Sequence, residues 1–468
     1  MILITKNTRQ NFQYLIFHVL IGLSAYFTKW AFIFWIYFIL FYSINIINSE
    51  IKFKKTIINF LPIIVYICSF DVFSRALKAY PYIPWEVSKY FLIASSLIII
   101  STGVIKKTYK ISFFLIILLI PAIIFDKSGL VSISEVIYNV FGLLSMFLFI
   151  AILGNYKIKD FELNHLLRLI WLPSVSLLTY VIFSTPKYSD ISFDLSAQFN
   201  TSGGFGSNQV SSILGAGLFL IFYSWMNKLA FSGYHLLDGL LIGLFAFQGW
   251  LTFSRGGMIV GCFCSILYFI FFISSKDYSK IVSSRKLKPF FFFSIFVISI
   301  FISFSLIKSI TGGVIQDRFL GHTNSTLSGE KIRDFNTITT GRYNILLDDI
   351  KLWNDNFFLG TGVGASKYLR NNLSNINIAS HTEISRLIAE HGLLGLIIII
   401  IIIIAYYYNY KQQQKNIYSA LLIVLFIFGV GTSLHSGMRT FITPIMIGLS
   451  FIKIVQENKS DNKIKNDI

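Results

Sequence analysis

Of the eleven arginines in this 468-residue chain, eight belong to one set of polar segments: Arg75, Arg255, Arg318, Arg333, Arg342, Arg370, Arg386 and Arg439. A planar guanidinium grips phosphate or carboxylate through paired hydrogen bonds, which an ammonium cannot do. The chemistry that these residues can perform is therefore recognition of an anion. Arg255 lies in Thr252–Gly257 (TFSRGG), a short turn between two apolar stretches. A charge so close to hydrocarbon marks a functional position unless it merely reaches for lipid headgroups. His381, in SHTEISRLIAEHGLLG, falls in the first turn of a helical pattern. There the helix dipole disfavours the imidazolium, and a neutral imidazole is what a general base requires. Ser380 and Glu383 are spaced as a capping box, which gives Glu383 a structural explanation. Arg386 and Glu390, four apart, are placed to pair across a turn. His391 reads as a packing residue, and His435 with Arg439 ends the series.

Other segments admit two readings. In Asp71–Lys89, Arg75 and Glu86 either pair with each other or meet a ligand. Asn200–Val210 (NTSGGFGSNQV) is either a turn or a glycine-flanked helix start that attracts anions. Phe357–Leu369 (FFLGTGVGASKYL) resembles a phosphate-cradling loop only through its glycines. Between them, Tyr343, Leu346, Leu347, Ile350, Trp353 and Phe357 recur at helical spacing with Asp348, Asp349, Asn354 and Asp355 opposite. This predicts an amphipathic helix lying over the rest of the protein. The two adjacent aspartates have no His or Glu near them in sequence, so no metal site is expected.

The elements that must position these residues are membrane spans. The chain is 54% hydrophobic and only 13% charged, well below the charge of soluble proteins. Apolar runs long enough to cross a bilayer recur throughout. Their centres lie near Leu20, Phe38, Ile63, Ser96, Leu118, Leu144, Leu177, Gly217, Leu244, Leu267, Val297, Ile400, Val424 and Ile447, which predicts an all-α polytopic membrane protein of about 12–14 transmembrane helices. Met1–Asn11 has no cleavage site after it, so a cleaved signal peptide is not expected. Cys68, Cys262 and Cys264 all fall in apolar segments and imply neither a disulfide framework nor a metal site.

The net charge of +18 is not a nucleic-acid signature. Its lysines cluster in alternate short loops, the pattern of a cytoplasmic face. That places the arginine-bearing segments on the outer face of a bacterial inner membrane. The expected organisation is an N-terminal bundle of about eleven spans (1–308), a periplasmic loop with amphipathic helices (309–390), C-terminal helices (391–455) and a disordered cytoplasmic tail (456–468).

An ordered set of motifs resembles the O-antigen ligase and O-antigen polymerase superfamily of membrane glycosyltransferases. The set is Ser254-Arg255-Gly256-Gly257, then Gly341-Arg342 before a Trp-bearing helix, then Phe358-Leu359-Gly360-Thr361-Gly362. It ends with His381 followed by Glu390-His391-Gly392-Leu393-Leu394-Gly395. The resemblance implies an undecaprenyl-diphosphate-linked glycan as donor and a lipid-linked or saccharide acceptor, with membrane lipid as surroundings, no cofactor, no metal and no nucleic acid. It implies that His381 activates the acceptor hydroxyl and that Arg255 and Arg342 hold the diphosphate. Arg75, Arg318, Arg386 and Arg439 are further substrate-binding candidates, and Glu383 and Glu390 stand second to the histidine. Many members carry Asn after that histidine, where this chain has Thr382. The implied activities are ligase, or polymerase with the same donor; a polysaccharide-related transporter is the alternative of another class.

Overall fold

The computed structural model describes residues 8–53, 60–102, 108–275, 288–374, 380, 382–413 and 416–455. His381 and the tail after Val455 lie outside the described residues, as do most of the lysines in the loops at 54–59, 103–107 and 276–287. The helices in chain order are α1 (Thr8–Phe27), α2 (Trp30–Phe53), α3 (Leu61–Ser69), α4 (Asp71–Ala76), α5 (Val87–Ser101), α6 (Ile111–Ile124), α7 (Ile133–Leu153), α8 (Asp160–Ser184), α9 (Ser207–Met226), α10 (His235–Leu251), α11 (Arg255–Ser274) and α12 (Lys288–Ile310). Short helices follow: α13 (Val314–Leu320), α14 (Asn324–Leu327), α15 (Phe335–Ile338), α16 (Arg342–Asp355) and α17 (Ser366–Ser374). The chain then forms α18 (Glu383–Lys411), α19 (Ile417–Ser433) and α20 (Ile442–Ser450). Two three-residue strands, β1 (Lys157–Lys159) and β2 (Lys453–Val455), pair in parallel.

Each of the fourteen expected span centres falls inside a helix. Seven described helices, α2, α7, α8, α9, α11, α12 and α18, are long and apolar enough to cross a membrane by themselves. The protein is an all-α polytopic membrane protein. The physical reason is that hydrocarbon offers no hydrogen bonds, so a spanning backbone must satisfy itself. Lipid also supplies no hydrophobic drive between helices, which therefore associate through close approach of small residues. The α9–α11 contact works this way. A Cβ on Gly257 would collide with the Ser211 carbonyl, and one on Gly261 would lie 2.5 Å from the Gly215 carbonyl oxygen.

α3 and α20 are short for spans, with nine residues each. The turn between α19 and α20 is accordingly recessed: Met438 packs on Gly142, roughly 14 Å along α7 from its first residue at 1.5 Å per residue. The segment between α19 and α20 carries His435 and Arg439, and the α10–α11 turn packed against His435 carries Arg255. The ring of His435 would meet a Cβ on Gly256 at 2.5 Å, so both glycines of the turn are packing requirements.

A second close approach sits at the start of α18. Gly392 has φ 60 and ψ −138, a conformation reserved for glycine. The loop at Phe357–Gly362 wraps this break: the Thr361 and Gly362 amides donate to the Ala389 and Glu390 carbonyls at 2.9 and 3.0 Å, and the Leu393 amide donates to the Phe357 carbonyl at 2.7 Å. The glycines read as a possible phosphate cradle therefore clamp a broken helix. α16 also differs from expectation. Its buried residues are Ile345, Asp348, Asp349 and Leu352, while Tyr343, Leu346, Leu347 and Ile350 are exposed. The aspartate face turns inward because Arg370 of α17 ion-pairs with Asp349, and Ser385 donates to the same carboxylate at 2.6 Å.

Gly257→Ala is expected to destabilise the purified full-length protein by about 1–3 kcal/mol through overpacking, read as a lower thermal unfolding temperature. Gly243→Ala in α10, where a Cβ meets nothing within 4 Å, should leave that temperature unchanged.

Candidate functional site

The α10–α11 turn is fixed before any arginine is considered. Phe253 adopts φ 57, and Ser254 donates to the Asn208 side chain at 2.7 Å while accepting from Ser211 at 2.9 Å. Asn208 belongs to the segment Asn200–Val210, which forms a turn and then opens α9. Arg255 follows as the first residue of α11. Its guanidinium donates to three backbone carbonyls, Arg318 at 3.0 Å, Phe319 at 3.4 Å and Ile338 at 2.7 Å. Arg318 donates to the carbonyls of Phe253 at 2.6 Å and of Leu195. Among the described residues, neither arginine has a salt bridge to a carboxylate. Neutral carbonyls position their guanidinium planes and leave the charge in place.

Arg342, at the first position of α16, and Arg439, in the recessed turn, have no hydrogen-bond or ion-pair partner for their guanidinium groups among the described residues. Both are partly buried. The pKa of Arg342 is lowered by desolvation first, then by the charges of Arg255 and Arg439. Arg318 is lowered to about 10 by desolvation, then by Arg255, with Arg342 adding to the effect and Asp194 opposing it. Arg439 is lowered by desolvation, with Arg386 adding repulsion and the Tyr138 hydroxyl and Glu383 opposing it. A guanidinium does not deprotonate in proteins, so each of these arginines carries its charge. Arg255 donates to the Arg318 carbonyl, Arg342 lies within reach of the charges of Arg255 and Arg439, and these contacts link Arg255, Arg318, Arg342 and Arg439 into one group of neighbouring cations.

The remaining candidates have carboxylate partners. Arg75 contacts Asp71 at 2.5 Å, Glu86 at 3.9 Å and the Gln209 side chain at 3.0 Å. The ion-pair reading of Arg75 and Glu86 thus holds, with Asp71 the closer partner. Asp71 in turn accepts from the Phe441 amide at 3.3 Å and so anchors the Arg439 turn. Arg386 pairs with Glu383 at 2.5 Å and donates to Asn139 at 2.6 Å. The expected capping box is not formed: Thr382 is the N-cap residue with no side-chain cap bond, and Glu383 instead accepts from the Met438 amide at 3.0 Å. The expected Arg386–Glu390 ion pair is also replaced, because Glu390 is buried and accepts from Ser366 at 2.8 Å. Arg370 is paired with Asp349, and Arg333 is exposed. Sequence reasoning missed Asn208, Gln209, Asn139 and Tyr138. Asp71 was readable, since it stands four residues before Arg75 on a helix.

This arrangement can hold a multiply charged oxyanion at one end of an apolar bundle. Residues 240–400 match the family model of the O-antigen ligases, a match that covers a third of the chain and includes Arg255, Arg318, Arg342, Arg386 and the segment of His381. That region is similar to the O-antigen ligases, and the match supports the O-antigen ligase superfamily for this multi-pass membrane protein. No curated protein matches the chain. Arg75 and Arg439 lie outside the matched region.

Removing a paired arginine and an unpaired one should differ in sign. Arg386→Met strands the buried Glu383 carboxylate and is expected to cost about 3–5 kcal/mol of stability. Arg342→Met relieves repulsion and should leave the thermal unfolding temperature unchanged or raise it. An equal fall for both variants would mean that the charge of Arg342 is compensated after all.

Proposed function

We propose that the protein transfers a glycan from an undecaprenyl-diphosphate carrier to an acceptor hydroxyl at the periplasmic face of the bacterial inner membrane. The observation that carries this reading is the group of four arginines that have no salt-bridged carboxylate among the described residues, three of them within the matched region. In the reaction, the bond from the anomeric carbon to the diphosphate oxygen breaks, and the diphosphate leaves with the electron pair. The acceptor oxygen bonds to the anomeric carbon and gives up its proton. Arg255 and Arg342, supported by Arg318 and Arg439, stabilise the charge that grows on the leaving group; preorganised donors of this kind need no reorganisation at the moment of reaction. Arginine supplies the charge that a metal ion would otherwise supply, so the proposal includes no metal. His381 takes the acceptor's proton in this reading. Arg75 and Arg386, neutralised by Asp71 and Glu383, hold the surrounding walls.

A polymerase would use the same donor and the same residues, with a second glycan as acceptor. A transporter gains no support from the buried ionisable groups of the spans. His18 is held by Ser176 at 3.0 Å and Tyr66 at 3.1 Å, and Asp238 accepts from Ser224 and the Ser232 amide, each at 3.0 Å.

The test is transfer by the purified protein from undecaprenyl-diphosphate glycan to acceptor. Arg342→Lys keeps the charge but loses the fork, and turnover should fall about 10²-fold. His381→Ala should lose about 10²–10⁴-fold with the protein still folded in the membrane. Full activity in His381→Ala would remove the base assignment, and near-normal activity in Arg342→Lys would remove the clamp. Glycolipids of a deletion strain separate the two acceptors: lipid-linked polymer accumulates if a ligase is lost, and single repeat units if a polymerase is lost.

A further inference from the structure

α16 is built inside out for a helix surrounded by water. An amphipathic helix normally turns its apolar stripe to the protein and its charges to solvent. Here two of its aspartates are inward beside Ile345 and Leu352, while Asn354 and Asp355 at its end stay exposed: Asp349 is ion-paired with Arg370, and Asp348 accepts from Ser374 at 2.7 Å. The apolar side is outward, with Tyr343, Leu346, Leu347 and Ile350 between 36% and 42% exposed. The stripe continues past the helix into Phe358 and Leu359, which are 71% and 49% exposed.

The position of that stripe identifies what covers it. The loop after α16 is pinned to the end of α6: the Val363 amide donates to the Ala122 carbonyl at 2.9 Å, and the Lys127 amide donates to the Thr361 carbonyl at 3.0 Å. α6 buries Ser112, Leu115, Leu119 and Ala122 and presents Phe114, Ile117, Ile120 and Ile124 outward. In a span, that outward face meets acyl chains. The exposed side of α16 therefore joins a lipid-facing surface at its C-terminal end. At its N-terminal end, Arg342 lies within electrostatic reach of Arg255 and Arg439. A 14-residue helix covers about 21 Å, so α16 runs across the end of the bundle from the arginine group to the rim of α6.

We propose that α16 lies in the membrane interface, with Tyr343, Leu346, Leu347 and Ile350 sunk among the acyl chains of the adjacent leaflet. Interfacial helices bind in this way, with the apolar face buried about 5–10 Å into the headgroup boundary. Arg342 is then held at headgroup depth, so an anionic group on a lipid reaches it without leaving the bilayer. The placement follows from the membrane bundle and does not rest on the transferase reading.

The test uses the full-length protein with Cys68→Ala, Cys262→Ala and Cys264→Ala, in nanodiscs of phosphatidylethanolamine and phosphatidylglycerol. Nitroxide labels are placed singly at Leu346→Cys and Ile350→Cys, with Ile120→Cys as a lipid reference and Glu330→Cys as a water reference. Collision rates with oxygen, which concentrates among acyl chains, and with a water-soluble nickel chelate give the depth of each label. Oxygen-to-nickel ratios at Leu346 and Ile350 should approach that of Ile120 and exceed that of Glu330 several-fold. Ratios like that of Glu330 would place the stripe in water. Protection from both reagents would place it against protein, and spin–spin coupling between copies would identify that protein as a second copy of this chain. Any of these results overturns the proposal. Leu347→Cys replaces either label position that does not yield folded protein.

Discussion

A guanidinium held partly away from water needs hydrogen-bond acceptors, and at this site backbone carbonyls supply many of them where carboxylates would have cancelled the charge. Arg255 and Arg318 donate to five carbonyls between them, contributed by Leu195, Phe253, Arg318, Phe319 and Ile338. Carbonyls are dipoles without net charge, so they orient the fork and leave its positive charge for another partner. Arg342 and Arg439 then approach that pair from two further segments. Much of the local architecture serves this arrangement. The turn before α11 needs glycine at 256 and 257, and the α19–α20 turn is recessed so that Arg439 reaches the same region.

The flanking arginines follow the opposite rule. Arg75 and Arg386 each have a carboxylate at 2.5 Å, and each of those carboxylates also accepts a backbone amide from the α19–α20 turn and its flanks. Asp71 reaches Phe441 and Glu383 reaches Met438, on the two sides of Arg439. The paired arginines thus fix the segment that delivers an unpaired one. Breaking such a pair leaves a buried charge, whereas removing an unpaired arginine takes repulsion away, so stability and activity should respond to different members of the group.

The sequence made the spans and the identity of the arginines legible, because hydropathy and the choice of arginine over lysine are local properties. It did not reveal which arginines were already neutralised. Arg386 stands at pairing distance from both Glu383 and Glu390 in sequence, and Glu390 is instead taken by Ser366, the first residue of α17. The orientation of α16 was illegible for the same reason: its apolar stripe predicts burial, and only the tertiary pairing of Asp349 with Arg370 turns the acidic face inward. The glycines of Phe358–Gly362 carried a true signal of close backbone approach, but the partner was the broken start of α18 instead of a phosphate.

The proposed diphosphate site is a group of four arginines, with no salt-bridged carboxylate among the described residues, at the end of a membrane bundle. It is tested most directly by binding a matched series of polyprenyl lipids to the purified protein: the diphosphate, the monophosphate and the free alcohol. Affinity should fall in that order, and the preference for diphosphate should be lost in Arg255→Gln combined with Arg342→Gln. Equal affinity for the diphosphate and the alcohol would contradict it.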